Sequence, residues 1–271
     1  MLSRLLSGLM LISIITASLN SGQTIGNCIE SIKSQSFIDF EHIVCDGGSG
    51  DNTVGILKAY QVDYPLQWIS GADTGIANAL NKAFEMTKGR YVIVIQTDDL
   101  LIEPSILDHV AHCISDERYD VCSFPVIRER CGSSPFLYRP IKIPGWYHFK
   151  HTIPHQGAFV HRRLFERIGG FREQFSIAMD YDFFYRAFRD RATIRYFHRP
   201  VSRMGGYGIS SRREVLLKRL DEEKQVQELN ERSLWWRTAQ KAFRSLYLPY
   251  KTRCLKRPRP TDVRAEPRFP S

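Results

Sequence analysis

Two adjacent aspartates, Asp98 and Asp99, come shortly after an apolar run at residues 92–95. Carboxylates side by side at the end of a buried strand repel one another, and a hard divalent cation with oxygen ligands relieves that repulsion. Mg²⁺ or Mn²⁺ held there could also bridge to a diphosphate. The structural alternative is that Asp99 caps the next helix, ahead of Pro104. The motif by itself leaves both interpretations open.

An earlier apolar run ends in a second acidic turn, Asp46-Gly47-Gly48-Ser49. The glycines permit a tight turn or a close approach of the backbone to a ligand. The Asp46 carboxylate could accept a hydrogen bond from the N–H of a nucleotide base. The pattern is not G-x-G-x-x-G, so it supports a dinucleotide site only weakly. A simple turn explains the same residues.

A third acidic motif, Asp180 and Asp182, stands at the start of a helix predicted for residues 181–189. Positions two apart do not share a helix face, so one carboxylate can point into a site while the other caps or pairs. A carboxylate beside an acceptor hydroxyl could act as a general base. Alternatively, both are helix N-terminal charges that the dipole favours.

Two further features lie in the second half of the chain. His155 precedes an apolar run, and an isolated histidine is more often structural than catalytic. Residues 203–211 form a glycine-rich stretch with one arginine and two serines. This loop could close over phosphates, or it could be a flexible linker.

The elements that must position these residues alternate between strands and helices. Apolar runs predict strands at residues 11–16, 40–45, 66–70 and 91–96. The segments between them repeat apolar residues at helical spacing, which indicates βαβ units around a mostly parallel sheet. Ligands of such sheets bind beyond the carboxyl ends of the strands. The polar loops that follow all four runs therefore point to one shared site.

The second half of the chain is less regular. The pattern predicts a loop or lid rich in proline and aromatics at residues 135–154 and a strand at 192–197. Helices are predicted at residues 163–168, 181–189, 212–230 and 234–248. The resulting division is an α/β domain at 1–211, a helical appendage at 212–257 and a disordered proline- and arginine-rich tail at 258–271.

Composition is that of a soluble globular protein: 43% of the 271 residues are hydrophobic and 25% are charged. The formal net charge of +9 suggests an anionic partner, such as nucleotide phosphates, nucleic acid or an acidic membrane surface. None of the six cysteines forms a C-x-x-C pair, so buried free thiols in a reducing compartment are expected. The apolar run at 11–16 could pass for part of a signal peptide, but the turn and helix pattern that follow favour a strand.

Several short blocks occur in a specific order: Ile14-Ile15-Thr16 with Asn20-Ser21, Asp46-Gly47-Gly48-Ser49, Asp73 with Gly75-Ile76, Thr97-Asp98-Asp99, His155-Gln156-Gly157, Gly169-Gly170-Phe171, Asp180-Tyr181-Asp182 and Gly205-Gly206. Each block is weak alone. In this order the chain resembles the inverting family-two glycosyltransferases of the GT-A fold, over about residues 11–211. The resemblance implies a GT-A α/β domain with a mostly parallel central sheet flanked by helices.

The resemblance also implies a binding site for a nucleotide diphosphate sugar, with a UDP-sugar expected. Thr16 and Asn20 would lie near the nucleotide. Asp46 would bind the base, typically uracil. Asp73 would face the ribose or the diphosphate.

The same comparison implies how catalysis would proceed. Asp98 and Asp99 match the D-x-D-type motif that holds Mg²⁺ or Mn²⁺, with Asp99 the main metal ligand. Asp180 matches the catalytic base, which would deprotonate the acceptor hydroxyl for an in-line attack on the anomeric carbon. The anomeric configuration would then invert.

The segment beyond the resemblance is strongly basic. Between residues 232 and 259 there are nine basic residues and no acidic one, interleaved with Trp235, Trp236, Phe243 and Tyr247. Such a helix suits an anionic membrane face, which would place the enzyme beside a lipid-linked acceptor. Alternatively, the helix packs its aromatic side chains on the domain and leaves a solvated basic face.

The expected function is metal-dependent, inverting transfer of a sugar to a saccharide or lipid-linked acceptor in surface polysaccharide or glycolipid synthesis. The expected location is the cytoplasm, with a peripheral position on the inner membrane face. One alternative is a protein that binds a nucleotide sugar without turnover. The presence of Asp180 and of the pair Asp98 and Asp99 argues against it. Another is a basic nucleic-acid-binding protein, but base stacking needs aromatic side chains within a basic groove. Here they are confined to the tail, so no nucleic acid is expected.

Overall fold

A computed structural model describes residues 10–130, 133–205 and 215–256. The strands are β1 (Ile12–Ser18), β2 (Phe40–Asp46), β3 (Leu66–Ser70), β4 (Tyr91–Val94), β5 (Leu100–Leu101), β6 (Val121–Ser123), β7 (Val126–Arg130), β8 (Ser133–Tyr138), β9 (Ala158–His161), β10 (Ile194–Tyr196) and β11 (Ser202–Met204). The helices are α1 (Ile25–Lys33), α2 (Thr53–Tyr60), α3 (Ile76–Met86), α4 (Ile106–Ile114), α5 (Arg162–Ile168), α6 (Met179–Arg189), α7 (Leu216–Asn230) and α8 (Leu234–Lys256).

Seven strands form the central sheet, in the order β10-β6-β9-β4-β1-β2-β3. Strand β1 lies at its centre, between β2 and β4, and all seven of its residues are buried. Its side chains alternate between two cores: Ile12 and Ile14 pack on one face of the sheet and Ile15 and Ala17 on the other. Burial on both faces explains the continuous apolar run, because helices cover both sides of a parallel sheet. The predicted α/β architecture is confirmed.

One strand of this sheet runs against the others. Strand β9 pairs antiparallel with both β4 and β6, whereas the remaining pairs in the sheet are parallel. The 3-10 turn at His155–Gly157 leads directly into β9. This insertion brings His155 close to the loop that follows β4, where the acidic pair lies.

A second sheet, in the order β5-β11-β7-β8, corrects part of the predicted loop at residues 135–154. The start of that segment is strand β8, which pairs antiparallel with β7 and sets Tyr138 opposite Val126. The run Phe136-Leu137-Tyr138 favours a strand once a neighbour supplies its hydrogen bonds. The rest of the segment contains a 3-10 turn at Trp146–His148.

Helices α7 and α8 pack against α6 and this turn. Trp236 of α8 stacks on His148, with ring centroids 3.9 Å apart, and Phe243 contacts Phe149. Several aromatic side chains of the basic helix therefore pack on the α/β body, as one of the two alternatives predicted. The predicted disordered tail at 258–271 lies outside the described residues. No helix in the described ranges is long and apolar enough to cross a bilayer.

The four cysteines whose side chains the structure describes are free thiols. Cys28, Cys45 and Cys122 are buried, and Cys113 is half-buried. Burial raises the pKa of Cys45 to about 11 and that of Cys122 to about 12. These two thiols are therefore protonated at neutral pH and serve as packing groups.

Asp120 immediately precedes β6 and connects this strand by hydrogen bonds to α5 and to the residue before β10. Its buried carboxylate accepts hydrogen bonds from Arg163 Nε at 2.8 Å, Arg167 Nη2 at 3.2 Å and Thr193 N at 2.9 Å. Burial alone would raise the pKa of Asp120, but these hydrogen bonds hold it well below its usual range. The carboxylate therefore stabilises the fold when it is ionised.

We expect Asp120→Asn to lower the free energy of unfolding at pH 7 by about 3 kcal/mol, because two guanidinium groups lose their charged partner. Since the folded-state pKa is depressed, this stabilisation is full above the unfolded-state pKa of about 3.9 and is lost as pH falls through the folded-state value. Urea unfolding at pH 7 and at pH 3 should show the difference between wild type and variant shrinking. Asp190→Asn, which removes a more exposed partner of Arg167, is the control and should change stability by less than about 1 kcal/mol. Equal effects at the two pH values would contradict this account.

Candidate functional site

The loops that follow β1 and β2 are tied to each other at the carboxyl edge of the sheet. Asn20 has a left-handed backbone, with φ of 50°. This conformation is more accessible to asparagine than to most residues. Its N–H donates to Ser49 Oγ at 2.7 Å, and its Oδ1 accepts from the Gly50 N–H at 2.9 Å. Asn20 thus lies at the edge where a nucleotide was predicted, and it joins the two loops.

Asp46 is the last residue of β2, and its buried carboxylate shapes the turn that follows. Oδ2 accepts from Gly48 N at 3.1 Å, Ser49 N at 2.9 Å and Ser70 Oγ at 2.7 Å, and Oδ1 accepts from Ser49 Oγ. Burial would raise the pKa of Asp46, but hydrogen bonds from Ser49, Ser70 and Gly48 lower it overall. An ionised carboxylate has about four acceptor positions, so the capacity for a further donor lies on Oδ1. The predicted contact with a base stays a prediction.

Asp73 lies in the third loop and contacts the second. Its Oδ1 accepts from Gly75 N at 2.8 Å. A Cβ atom added to Gly47 would lie 2.6 Å from Asp73 Oδ2, so the Asp73 side chain packs directly against the backbone of the second loop. The structure therefore brings Asn20, Asp46 and Asp73 together along one edge, in loops that touch one another.

The position of Thr16 corrects one prediction. Thr16 lies within β1, two residues before its end, and its side chain is fully buried. Its hydroxyl donates to Ile95 O at 2.7 Å and lies 3.1 Å from His42 Nε2. A direct contact between this side chain and a nucleotide does not fit the geometry, because the hydroxyl joins strands in the core. The sequence predicted Thr16 as the last residue of this strand, whereas the strand continues to Ser18.

The acidic pair follows β4, and its two members differ in surroundings. Asp99 is buried; its Oδ2 accepts from Gln96 N at 3.1 Å and its Oδ1 from Gly205 N at 3.0 Å. Asp98 is half-buried. A Cβ atom on Gly205 would lie 2.5 Å from Asp98 Oδ2, so the chain after β11 passes directly over the pair. The helix-cap alternative for Asp99 is wrong, since α4 begins after Ser105.

Both carboxylates are harder to ionise than usual. Burial, followed by the charge of Asp98, raises the pKa of Asp99 to about 6, and burial also raises the pKa of Asp98. A cation between or beside the pair would reverse this effect. Each oxygen of Asp99 accepts one backbone N–H, which leaves acceptor capacity on both oxygens.

The pair does not form a complete metal cage. Within the part of the chain that the structure describes, no three His, Cys, Asp or Glu side chains are close enough to hold a metal ion. Mg²⁺ is commonly held by one or two carboxylates, with waters and substrate phosphates completing its shell. Asp98 and Asp99 fit that kind of site, in which the substrate supplies the missing ligands.

Asp180 is in the first turn of α6 and contacts two histidines from the segment before β9. Its Oδ2 lies 3.1 Å from His155 Nδ1 and 3.7 Å from His151 Nε2, and its Oδ1 accepts from Tyr181 N at 2.7 Å. Nε2 of His155 is buried and has no hydrogen-bond partner among the described residues. Sequence reasoning flagged His155 as isolated and missed His151. The four-residue spacing of the two histidines was the available signal.

The charges of this group follow from their mutual contacts. Burial would raise the pKa of Asp180, but His151 and His155 hold it well below its usual range. Burial would lower the pKa of His155, but the Asp180 carboxylate, with smaller contributions from Asp99 and Asp98, raises it. Burial lowers the pKa of His151. At neutral pH the Asp180 carboxylate is therefore ionised, its charge favours the protonated form of His155, and burial favours the neutral form of His151.

Asp182 has a different role from Asp180. It is fully buried and accepts hydrogen bonds from Arg172 Nη1 at 3.0 Å, Arg186 Nε at 2.9 Å and Asn230 Nδ2 at 2.8 Å. Of the two carboxylates, Asp180 is the one beside the histidines, and Asp182 pairs with cations inside the fold. The predicted loop at 203–211 is described only as far as residue 205, and its remainder lies outside the described residues.

Comparisons of the sequence identify related proteins. The family model for glycosyl transferase family 2 matches residues 13–197. A PGL/p-HBAD biosynthesis glycosyltransferase of Mycobacterium bovis is 32% identical over 204 residues, which cover 72% of this chain and 77% of that protein. The chondroitin synthase of Escherichia coli is 30% identical over 181 residues, which cover 64% of this chain and 26% of that protein.

Comparisons of the fold find similar solved structures. S. aureus TarS 1–349 in complex with UDP-GlcNAc has a TM-score of 0.60 at 19% identity, covering 72% of this chain and 58% of that one. A mannosyltransferase from Pyrobaculum calidifontis in complex with GDP-Man and Mn²⁺ has a TM-score of 0.64 at 16% identity, covering 93% of this chain and 77% of that one. At these identities the similarity concerns the fold.

Proposed function

Because this chain belongs to glycosyl transferase family 2, has the GT-A fold and is a glycosyltransferase, we propose that it transfers a sugar from a nucleoside diphosphate donor with inversion and that Asp180 is the general base. The expected acceptor is a saccharide or a lipid-linked saccharide. The expected pathway is the synthesis of surface polysaccharide or glycolipid. Relatives named for PGL/p-HBAD biosynthesis and for chondroitin synthesis support a pathway of this kind.

The observation that carries the proposal is the ionised Asp180 carboxylate beside the histidine pair. His155 contacts Asp180 directly and interacts electrostatically with Asp98 and Asp99. One histidine is therefore close enough to interact with both the proposed base and the acidic pair. A general base must be ionised and within reach of the hydroxyl proton, and Asp180 meets the first condition at neutral pH.

The proposed reaction is a single displacement at the anomeric carbon of the donor sugar. Asp180 Oδ takes the proton of the acceptor hydroxyl as the oxygen forms its bond to the anomeric carbon. The bond between that carbon and the diphosphate oxygen breaks, and the nucleoside diphosphate leaves with the electron pair. Attack from the face opposite the leaving group inverts the configuration. His155 Nδ1 lies 3.1 Å from Asp180 Oδ2, so this ring stabilises the carboxylate before reaction and is close enough to exchange the proton with it.

Asp98 and Asp99 would hold the divalent cation. When bound, Mg²⁺ or Mn²⁺ would stabilise negative charge on the departing diphosphate. The structurally similar mannosyltransferase that contains Mn²⁺ supports the use of a metal of this class. Asn20, Asp46 and Asp73 would surround the nucleoside. UDP is the expected nucleotide, supported by the TarS complex with UDP-GlcNAc, and GDP is the alternative, supported by the GDP-Man complex.

The test is calorimetric titration of UDP, GDP and dTDP, each with Mn²⁺ and with EDTA, followed by transfer assays with the sugar nucleotides of whichever base binds. Metal-dependent binding of one nucleotide, together with release of that nucleotide when an acceptor is added, would support the proposal. Loss of metal dependence in Asp98→Asn would support the assignment of the cation site. Failure of all three nucleotides to bind would contradict the proposal.

We also propose that α8 places the enzyme on an anionic membrane surface, on the cytoplasmic side. Trp235, Leu246 and Tyr250 are 73%, 79% and 62% exposed, and their spacing returns to one face of the helix. The same helix carries the exposed cations Arg237 and Lys241 on the side away from these three residues. A helix that combines exposed aromatic and aliphatic side chains with cations suits the headgroup region of an anionic bilayer. A bound enzyme would meet a lipid-linked acceptor where that acceptor resides.

We expect Trp235→Ser with Leu246→Ser to weaken binding to phosphatidylglycerol vesicles at least tenfold, because about 2 kcal/mol or more of apolar burial is lost. Sedimentation of wild type with phosphatidylglycerol and with phosphatidylcholine vesicles measures the contribution of charge. Ile38→Ser, which changes an equally exposed apolar residue between α1 and β2, is the control. Wild type that stays in the supernatant with both lipids would rule out the membrane proposal and leave the transfer proposal unaffected.

A further inference from the structure

The start of α6 receives its cap from a different helix. The residue before the helix is Ala178, whose side chain cannot cap it. Instead, Glu222 of α7 accepts hydrogen bonds from the backbone N–H groups of three successive residues. Ser176 N donates to Oε1 at 3.2 Å, and Ile177 N and Ala178 N donate to Oε2 at 2.7 and 2.9 Å. Ser176 Oγ also donates to Oε1, at 2.7 Å.

The hydrogen bonds to the Glu222 carboxylate are favoured by charge and by burial. Ala178 is the N-cap residue of α6, and its N–H is one of the groups that lack a partner within the helix; Ser176 and Ile177 belong to the segment just before it. The positive end of the helix dipole also favours a negative charge at this place. Glu222 is buried, and four donors converge on its two oxygens. Removing the carboxylate would leave three backbone N–H groups without these partners in a site that water reaches poorly.

The capped segment leads directly to the proposed base. Asp180 follows Ala178 by two residues and belongs to the first turn of α6. A second contact from α7, Asn230 Nδ2 to Asp182 Oδ1 at 2.8 Å, also holds the first turn of α6. The distance of 3.1 Å between Asp180 and His155 therefore depends on where α7 holds the start of α6. The family match ends at residue 197, so α7 lies outside it.

We propose that Glu222 is a positioning residue for the transfer reaction: by capping α6 from α7, it sets the place of the Asp180 carboxylate. This inference rests on the proposed role of Asp180. It assigns α7, which lies beyond the family match, a part in catalysis through its contact with the segment before Asp180. A purely structural role for Glu222 would instead lower stability without selectively lowering turnover.

The test uses Glu222→Ala and Glu222→Gln in the full chain, with Asp221→Asn as the matched control. Asp221 is the preceding residue of α7 and is exposed, so its neutralisation makes the same charge change without touching α6. We expect Glu222→Ala to lower kcat about 100-fold, since small displacements of a catalytic group have effects of that size. Donor affinity should stay within about twofold of wild type, since the hydrogen bonds described for Asn20, Asp46 and Asp73 share no partner with Glu222. Glu222→Gln keeps an oxygen acceptor and should lose less. A folded Glu222→Ala with wild-type kcat, or parallel losses of kcat and donor affinity, would overturn the proposal.

A second readout does not depend on activity. In wild type, the Asp180 carboxylate raises the pKa of His155 against the opposing effect of burial. If Glu222 positions Asp180, the pKa of His155 measured by NMR in EDTA should fall in Glu222→Gln and stay unchanged in Asp221→Asn. An unchanged His155 pKa in Glu222→Gln would overturn the proposal, including the case in which Glu222→Ala fails to fold. A wild type that shows this shift but no transfer activity would indicate that the proposed function is wrong and the positioning contact is real.

Discussion

Asp180→Asn is expected to lower kcat for sugar transfer by about 1,000-fold, within the range observed for loss of a general base. The amide cannot take the proton of the acceptor hydroxyl, whereas it keeps the size of the carboxylate. Binding of the nucleotide sugar should be nearly unchanged, because none of the hydrogen bonds described for Asn20, Asp46 and Asp73 involves Asp180. Steady-state kinetics with saturating donor, together with calorimetric titration of the donor, separates the two effects.

Asp182→Asn provides the matched control on the same helix. Asp182 is fully buried between Arg172 and Arg186, so its neutralisation leaves two cations without their partner. We expect a loss of about 3 kcal/mol in the free energy of unfolding. Turnover per folded molecule should fall much less than in Asp180→Asn. The opposite pattern, with an active Asp180→Asn and an inactive but stable Asp182→Asn, would reverse the assignment of the base.

The second large effect is expected at the acidic pair. Asp98→Asn should weaken Mn²⁺-dependent binding of the nucleotide sugar by about 100-fold or more, since a metal supplies several kcal/mol of charge stabilisation. Binding in EDTA should change little. Titrations with Mn²⁺, with Mg²⁺ and with EDTA measure the difference directly. The control is Asp116→Asn, which breaks a surface ion pair with Arg118.

Asp99→Asn should differ from Asp98→Asn in its effect on stability. Both oxygens of Asp99 accept backbone N–H groups, from Gln96 and Gly205. An asparagine amide would turn an NH₂ group toward one of these donors and lower the free energy of unfolding by about 1–3 kcal/mol. Thermal unfolding without metal measures this loss. Equal stability of the two variants, or metal-dependent binding that survives both, would contradict the proposed arrangement.

The sequence predicted the donor half of the fold because two periodicities alternate there without interruption. Strand β3 was predicted with the observed bounds, and β1, β2 and β4 were within two residues at each end. The runs that form β1, β2 and β4 are almost entirely buried, and such runs have few competing interpretations. The edge occupied by Asn20, Asp46 and Asp73 followed from the rule that ligands bind beyond the strand ends.

The other half depended on contacts that no local pattern contains. Strand β9 has only four residues, and it is stabilised as a strand by antiparallel pairing with β4 on one side and β6 on the other. Asp182 is buried among arginines whereas Asp180 lies beside the histidines, and this difference in surroundings is not visible in the sequence. The burial of the Thr16 side chain in the core is not visible there either. The capping contact from Glu222 to residues 176–178 joins positions more than forty apart in the chain. A sequence pattern shows which residues could make such contacts and does not show which partner each one finds.

The hydrogen bond between Asn20 and Gly50 and the close approach of Gly47 to Asp73 have a consequence for redesigning the enzyme. Three loops that touch one another form a single unit, so grafting one loop from a transferase with another nucleotide preference would break its contacts with the other two. The loops would have to be exchanged as a set, together with residue 47. In return, the unit is held in place before the donor arrives, and binding would require little ordering of the chain.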